Sequence, residues 1–181
     1  SRKANSAPID SAATAITQEI TNPYSGQTLP FKGQDVTISG NTGTTGARSV
    51  ILQKYSSSWK TYATVTSDAD GKFSFQASTT SSSRRFRAYA PAAGGQASVT
   101  TAEVKIVTQS QTVTINSMRI GNNAVHTGVS APVIEGRKFA LQVQSGSSWV
   151  EVGTDTADAK GLVEVTIPAA AAFVDLEIVP L

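Results

Sequence analysis

The dominant pattern along the chain is an alternation of apolar and polar positions with a period of two, interrupted at short intervals by polar turns. In "RSVILQKYSSSWKTYATVTSDADGKFSF" (48–75), Val50, Leu52 and Lys54 alternate with Ile51 and Gln53. A serine turn follows, "WKTYATV" runs to a turn at "DADG", and "KFSF" resumes the period. Successive side chains of a strand point to opposite faces, so this pattern predicts short antiparallel strands with one face buried. The same rule applied to "RFRAYAP" (85–91) points Phe86 and Ala88 inward and leaves Arg85 and Arg87 solvated. No stretch keeps a helical period. The best helical candidate, "PAAAAF" (168–173), is short, begins at a proline and reads as a loop between strands. Short strands separated by regular turns predict an all-β sandwich.

The alternation occurs twice. Residues 48–75 lie over "RKFALQVQSGSSWVEVGTDTADAKGLVEV" (137–165): Arg48, Leu52 and Gln53 match Arg137, Leu141 and Gln142 at a spacing of 89, and Trp59, Asp68 and Gly71 match Trp149, Asp158 and Gly161 at 90. One residue has been inserted in the serine-rich turn before the tryptophan. An aromatic, a turn glycine and an apolar alternation shared in one order indicate duplication. The predicted organisation is an extended N-terminal segment (1–21), a first sandwich (22–108) and a second (109–181).

These residues also carry a family resemblance. "VTISG" (36–40), "RSVILQ" (48–53), a tryptophan after a Ser/Gly turn, and "TSDADGKFSF" (66–75) followed by "RFRAYAP" resemble the Ig-like or prealbumin-like modules strung together in secreted bacterial proteins. The second unit departs from the pattern, with "VHTGV" (125–129) for "VTISG" and "DAKG" (158–161) for "DADG". The resemblance implies two tandem Ig-like antiparallel sandwiches. It implies less about function, because such modules serve as spacers, adhesins, sugar-binding appendages and filament subunits.

Counting strands exposes a difference between the two units. In the first, "RFRAYAP" is followed by a glycine turn, "AAGGQ" (92–96), and by "SVTTAEVKIVT" (98–108), a last strand that closes the sandwich. In the second, Leu176 and Ile178 take the places of Phe86 and Ala88, Pro180 takes that of Ala90, and the sequence stops at Leu181. The second unit is thus expected to lack its last strand. An open edge of this kind invites another chain to pair.

The candidate donor is "DSAATAITQEIT" (10–21), which stands before the first unit as "SVTTAEVKIVT" stands before the second. Thr14, Ala15 and Thr21 match Thr101, Ala102 and Thr108 at a spacing of 87, whereas keeping the apolar face pairs Ile16 with Val104 at 88. Ala12, Thr14, Ile16, Gln18 and Ile20 are the donor positions, and Leu176 and Ile178 mark the acceptor edge. The arrangement resembles donor-strand complementation in bacterial and archaeal pili. It implies a non-enzymatic, extracellular, cell-surface filament subunit whose partners are copies of itself, added head to tail. On this reading, removing residues 1–21 leaves the first unit folded and the second open. The alternative is a spacer or carbohydrate-binding accessory module of a secreted polysaccharide-active protein, with surface glycans as partners.

Composition excludes several other classes. A formal charge of +2, from 15 basic and 13 acidic side chains, is too weak a field to predict a nucleic-acid partner. No apolar run approaches the roughly 18 residues of a membrane-spanning helix. The small, polar start "SRKANSAPID" fits a mature N-terminus left by signal-peptidase cleavage as well as an internal boundary. Without cysteine and with a single histidine, neither a thiolate metal site nor a nucleophilic relay can be assembled, and no catalytic, metal or cofactor residue is expected.

His126 aligns with Thr37 and is expected on the outward phase of its strand. Asp68 and Asp70 suggest calcium, yet the second unit has Lys160 where Asp70 stands, and a tight turn with Gly71 or Gly161 at positive φ accounts for both versions. Trp59 and Trp149 are expected to pack partly into their cores. Tyr24, Phe31, Tyr55, Tyr62 and Tyr89 are the remaining candidates for a carbohydrate face, and Arg84, Arg85 and Arg87 form the densest basic cluster.

Overall fold

The computed structural model describes residues 15–79, 84–169 and 175–181, and these are all-β. None of the described residues forms a helix long and apolar enough to cross a membrane. Two compact units emerge. The first contains residues 15–21 and 29–108, and the second contains 22–28 and 109–181. Residues 15–21, expected in the extended N-terminal segment, are therefore part of the first unit, and residues 22–28, expected to open the first sandwich, belong with the second.

The first unit is a two-sheet sandwich. Strands β1 (Thr17–Ile20), β2 (Asp35–Asn41) and β5 (Lys72–Ser78) form one sheet in the order β1-β2-β5. The other has the order β4-β3-β6, built from β3 (Ser49–Ser56), β4 (Ser58–Thr66) and β6 (Arg84–Ala90), and β6 is paired on its far side by β7 (Val99–Thr100) and β8 (Val104–Ile106). All pairings are antiparallel, which is the Ig-like division into strands one, two and five against four, three, six and seven. The core between the sheets is formed by Ile16, Val36, Ile38, Val50, Leu52, Phe73, Phe75, Phe86, Val99 and Ile106 with small alanines.

The second unit repeats the plan. Strands β9 (Thr112–Ile120), β10 (Asn123–Ala131) and β13 (Leu162–Pro168) form the first sheet, and β11 (Lys138–Ser145), β12 (Ser148–Thr156) and β14 (Leu176–Pro180) the second, in the order β12-β11-β14. The duplication extends to irregularities. A β-bulge interrupts β3–β4 between Leu52 and Gln53, and another interrupts β11–β12 between Leu141 and Gln142. The inserted residue lies in the following turn, which is Ser57 alone at φ 62° in the first unit and Gly146-Ser147 in the second, with Gly146 at φ 64°.

The turns "DADG" and "DAKG" are built alike. The Asp68 carboxylate accepts backbone N–H bonds from Asp70 (3.0 Å) and Lys72 (2.8 Å), as Asp158 does from Lys160 (2.8 Å) and Leu162 (2.9 Å). Those donors hold the Asp158 carboxyl below its ordinary range.

Strand β10 corrects one expectation. Gly40 and Gly128 each sit where a Cβ would strike the core: the nearest atoms would be Phe73 at 2.6 Å and Ile16 at 2.9 Å in one unit, and Val113 at 2.7 Å and Ile178 at 2.9 Å in the other. With these glycines superposed, Phe75 faces Ile38 across the ladder as Val165 faces His126. His126 thus occupies the place of Ile38, one residue away from Thr37. A single-residue slip turns every side chain over, so the histidine expected on the surface is completely buried. Its Nδ1 hydrogen-bonds Ser117 Oγ at 2.8 Å, and burial lowers its pKa.

Candidate functional site

The two units differ at the strand after the sixth. In the first, β7 and β8 cover the outer edge of β6, and Val99 and Ile106 enter the core at 8% and 2% exposure. In the second, β14 pairs with β11 from Phe139↔Pro180 to Val143↔Leu176, and among the described residues nothing pairs with its other edge. Leu176 and Ile178, the expected acceptor residues, are on this strand. Ile178 is buried in the second core, and Leu176 is half-buried against it. An unpaired edge next to apolar side chains presents both a row of backbone donors and acceptors and an incomplete core.

The units also differ in how many large apolar side chains are exposed. Among the described residues, Met118, Ile120, Val129, Val133, Trp149, Val150, Val152, Leu162 and Leu181 of the second unit are exposed, against Leu29, Tyr55 and Val107 of the first.

The expected donor positions are placed differently. Thr17–Ile20 pairs with β2 of its own chain, from Thr17↔Ser39 to Ile20↔Val36. Ile16 is 8% exposed in the first core, Ile20 is half-buried, and the Gln18 side-chain amide donates to the Lys105 carbonyl at 3.4 Å. Ala12 and Thr14 lie outside the described residues. Within the single chain, the segment from Ile16 to Ile20 is the first strand of its own sandwich, equivalent to β9. The sequence signal for this was present in "TVTINSMRI" (112–120), whose alternation and two-residue turn into β10 mark it as the corresponding strand.

The outer face of the β4-β3-β6-β8 sheet collects the aromatic and basic candidates. Tyr55 and Trp59 are cross-strand partners with ring centroids 5.3 Å apart. The Arg85 guanidinium lies 3.8 Å from the Tyr55 ring centre and that of Arg87 4.4 Å from the Trp59 ring centre. Arg85 also pairs with Glu103 (3.3 Å), and Arg87 Nε donates to Gln53 at 2.8 Å.

Trp59, expected in the core, is thus half-buried under arginines on the solvent side. The cause is the bulge after Leu52, which changes the phase of β4, so that Tyr62 and not Trp59 reaches the core and meets Phe86 edge-on at 5.4 Å. Trp149 is likewise outside its core and 42% exposed. Phe31 is buried in the first unit. The alternation read from "RFRAYAP" holds, with Phe86 and Ala88 buried between Arg85 and Arg87.

The corresponding face of the second unit has the opposite charge. Register equates Gln53↔Arg87 with Gln142↔Glu177, Tyr55↔Trp59 with Gln144↔Trp149, and Gln53↔Thr61 with Gln142↔Glu151. Asp175, two residues before Glu177, stands where Arg85 stands before Arg87, and its carbonyl accepts the Gln144 N–H at 3.0 Å.

Arg48 and Arg137, which recur at one position of the repeat, are structural. Arg48 is 5% exposed and donates to the carbonyls of Ala90 (3.3 Å), Pro91 and Ala97 (3.0 Å), tying the end of β6 to the loop that leads into β7. Arg137 donates to Gln111 at 2.8 Å. No group of three or more His, Cys, Asp or Glu side chains among the described residues could hold a metal ion.

No family model matches the chain, and no curated protein matches it. Similar solved structures include a tetra-tandem repeat in the extending region of a large adhesion protein, at 18% identity and TM-score 0.36 over 92% of this chain and 44% of that one. A Salmonella alpha-2-macroglobulin mutant is similar at 13% identity and TM-score 0.32, over 86% of this chain and 15% of that one. Native Escherichia coli alpha-2-macroglobulin spanning domains NIE-MG1 is similar at 13% identity and TM-score 0.26, over 92% of this chain and 97% of that one. The chain thus spans less than half the length of the first two. At such identities and scores the likeness supports no functional inference, and the fold assignment rests on the strand order.

Proposed function

We propose that this chain is a non-enzymatic structural module of an extracellular, cell-surface assembly, and that the assembly grows by adding a β-strand of another copy to the free edge of β14. The observation that carries this reading is the outer edge of β14, with which no described strand pairs, whereas β7 and β8 supply both a ladder and the apolar side chains Val99 and Ile106 at the equivalent edge of β6. Burial of two aliphatic side chains by an incoming strand contributes roughly 3 to 6 kcal/mol, and new main-chain bonds add to it.

Donation by residues 10–21, the pilus-like version, has to proceed by exchange. Thr17–Ile20 leaves β2, Ile16 leaves the first core, and both are re-paired in the next copy. Exchange trades one ladder for another, so its driving force comes from completing the second unit at the expense of the first. The covering of Tyr55 and Trp59 by guanidinium groups speaks against the carbohydrate alternative at that face, because sugar stacking needs a free ring face.

Negative-stain microscopy of the native protein, with and without excess peptide of residues 98–108, tests the reading. The expected outcome is linear assemblies that shorten as the peptide caps β14. Monomers at all concentrations that bind no such peptide would overturn it.

A further inference from the structure

We propose that the basic outer sheet face of the first unit docks on the acidic outer sheet face of the second unit in another copy of the chain. The two faces are the same surface of the duplicated fold, compared position by position through their ladders. On the first, Arg85, Arg87 and Lys105 stand against Glu103. On the second, the arginine positions hold Asp175 and Glu177, and the position of Thr61 holds Glu151. The units have diverged toward opposite charge at the places that face out while keeping the tryptophan between them.

The tryptophans sharpen the complementarity. Trp59 is covered by Arg87 of its own sheet, whereas Trp149 is 42% exposed on the strand that carries Glu151 two residues on, and Glu177 holds the register position that Arg87 has in the first unit. A guanidinium arriving from another copy finds there both a ring face and acidic partners, whereas Arg87 at home has the ring of Trp59 but only the neutral Gln53 as its hydrogen-bond acceptor. The existing contacts do not block this. Arg85 and Glu103 are an exposed pair of the kind that contributes little, and each guanidinium has five donors.

The contact joins different surfaces of two identical chains, so it is heterologous. One small sheet face is at the low end of specific interfaces, so the association is weak and salt-dependent. It uses the outer faces and not the β14 edge, and so it stands whether or not strand addition occurs.

Sedimentation velocity of the full chain across ionic strength, with paired charge reversals, tests it. Arg85→Glu with Arg87→Glu, and separately Asp175→Arg with Glu177→Arg, should each weaken self-association at low salt by about tenfold or more, with unchanged melting temperatures. Mixing the two variants should restore it, because the reversed faces then match. Arg85→Gln with Arg87→Gln provides the same loss if the reversal impairs folding. Association that persists in the single variants, or that the mixture fails to restore, would overturn the proposal. Peptide 98–108 should leave this association unchanged, which separates it from capture of a strand at β14.

Discussion

His126 shows how one residue can carry a property its neighbours do not predict. It takes the place of Ile38, completely buried, and desolvation there favours the neutral ring and lowers its pKa. The unfolded chain takes up the proton near pH 6.5, whereas the folded chain resists it until lower pH. Unfolding therefore binds a proton in that interval, and the second unit loses stability as pH falls below about 6.5 toward the folded-state pKa. Thermal melts from pH 7.5 to 5.5 should show the second unit's transition falling more steeply than the first, and His126→Leu should remove the excess slope. An unchanged slope in that variant would show that His126 does not carry the effect. The alternation along β10 was visible in the sequence, but its phase was not, because the repeats differ in length between Gly40 and Arg48 and between Gly128 and Arg137. Matching the glycines, which close core approach requires, supplies the phase. The tryptophans were misplaced for a related reason: a bulge shifts the phase of β4 relative to β3, and simple alternation does not reveal bulges.

At the scale of elements, β1 is the informative strand. Its sequence resembles the strand that ends the first unit, and strand counting alone makes it a spare piece. The structure gives it a local use, because β2 needs an edge partner and the first core needs Ile16 over Gly40. Deleting residues 1–21 should therefore destabilise the first unit by about 2 to 4 kcal/mol, the loss of one buried isoleucine and a short ladder, and leave the second unit's melting unchanged in the monomer. Two-transition calorimetry checks this directly. Selective loss of the second unit would instead favour donation of this strand. The hairpins were legible because serine, aspartate and glycine turns fix them locally. The pairing of β1 was not, because fourteen residues separate it from β2 and nothing local sets the register across such a connection.

For the whole molecule, duplication makes each unit the reference for the other. The difference between the repeats after the sixth strand was legible in the sequence, and the structure gives it physical content among the described residues: β7 and β8 pair with the outer edge of β6, and no described strand pairs with that of β14. The opposite charge of the two outer faces was not legible, since the alignment of Arg85 and Arg87 with Asp175 and Glu177 gains meaning only when the ladders show that these positions face the same way. The central claim is that the outer edge of β14 is available to pair with an incoming strand. The most direct measurement is amide hydrogen exchange of Leu176 to Val179 in the chain as it stands and in a variant in which Leu181 is replaced by residues 91–106, the loop and last strand of the first unit. Exchange at these amides should slow by at least about tenfold, and the second unit should melt at higher temperature, as the supplied strand pairs with β14. Equal protection and equal melting in the two chains would contradict the claim, and β14 would then be a complete edge that needs no partner.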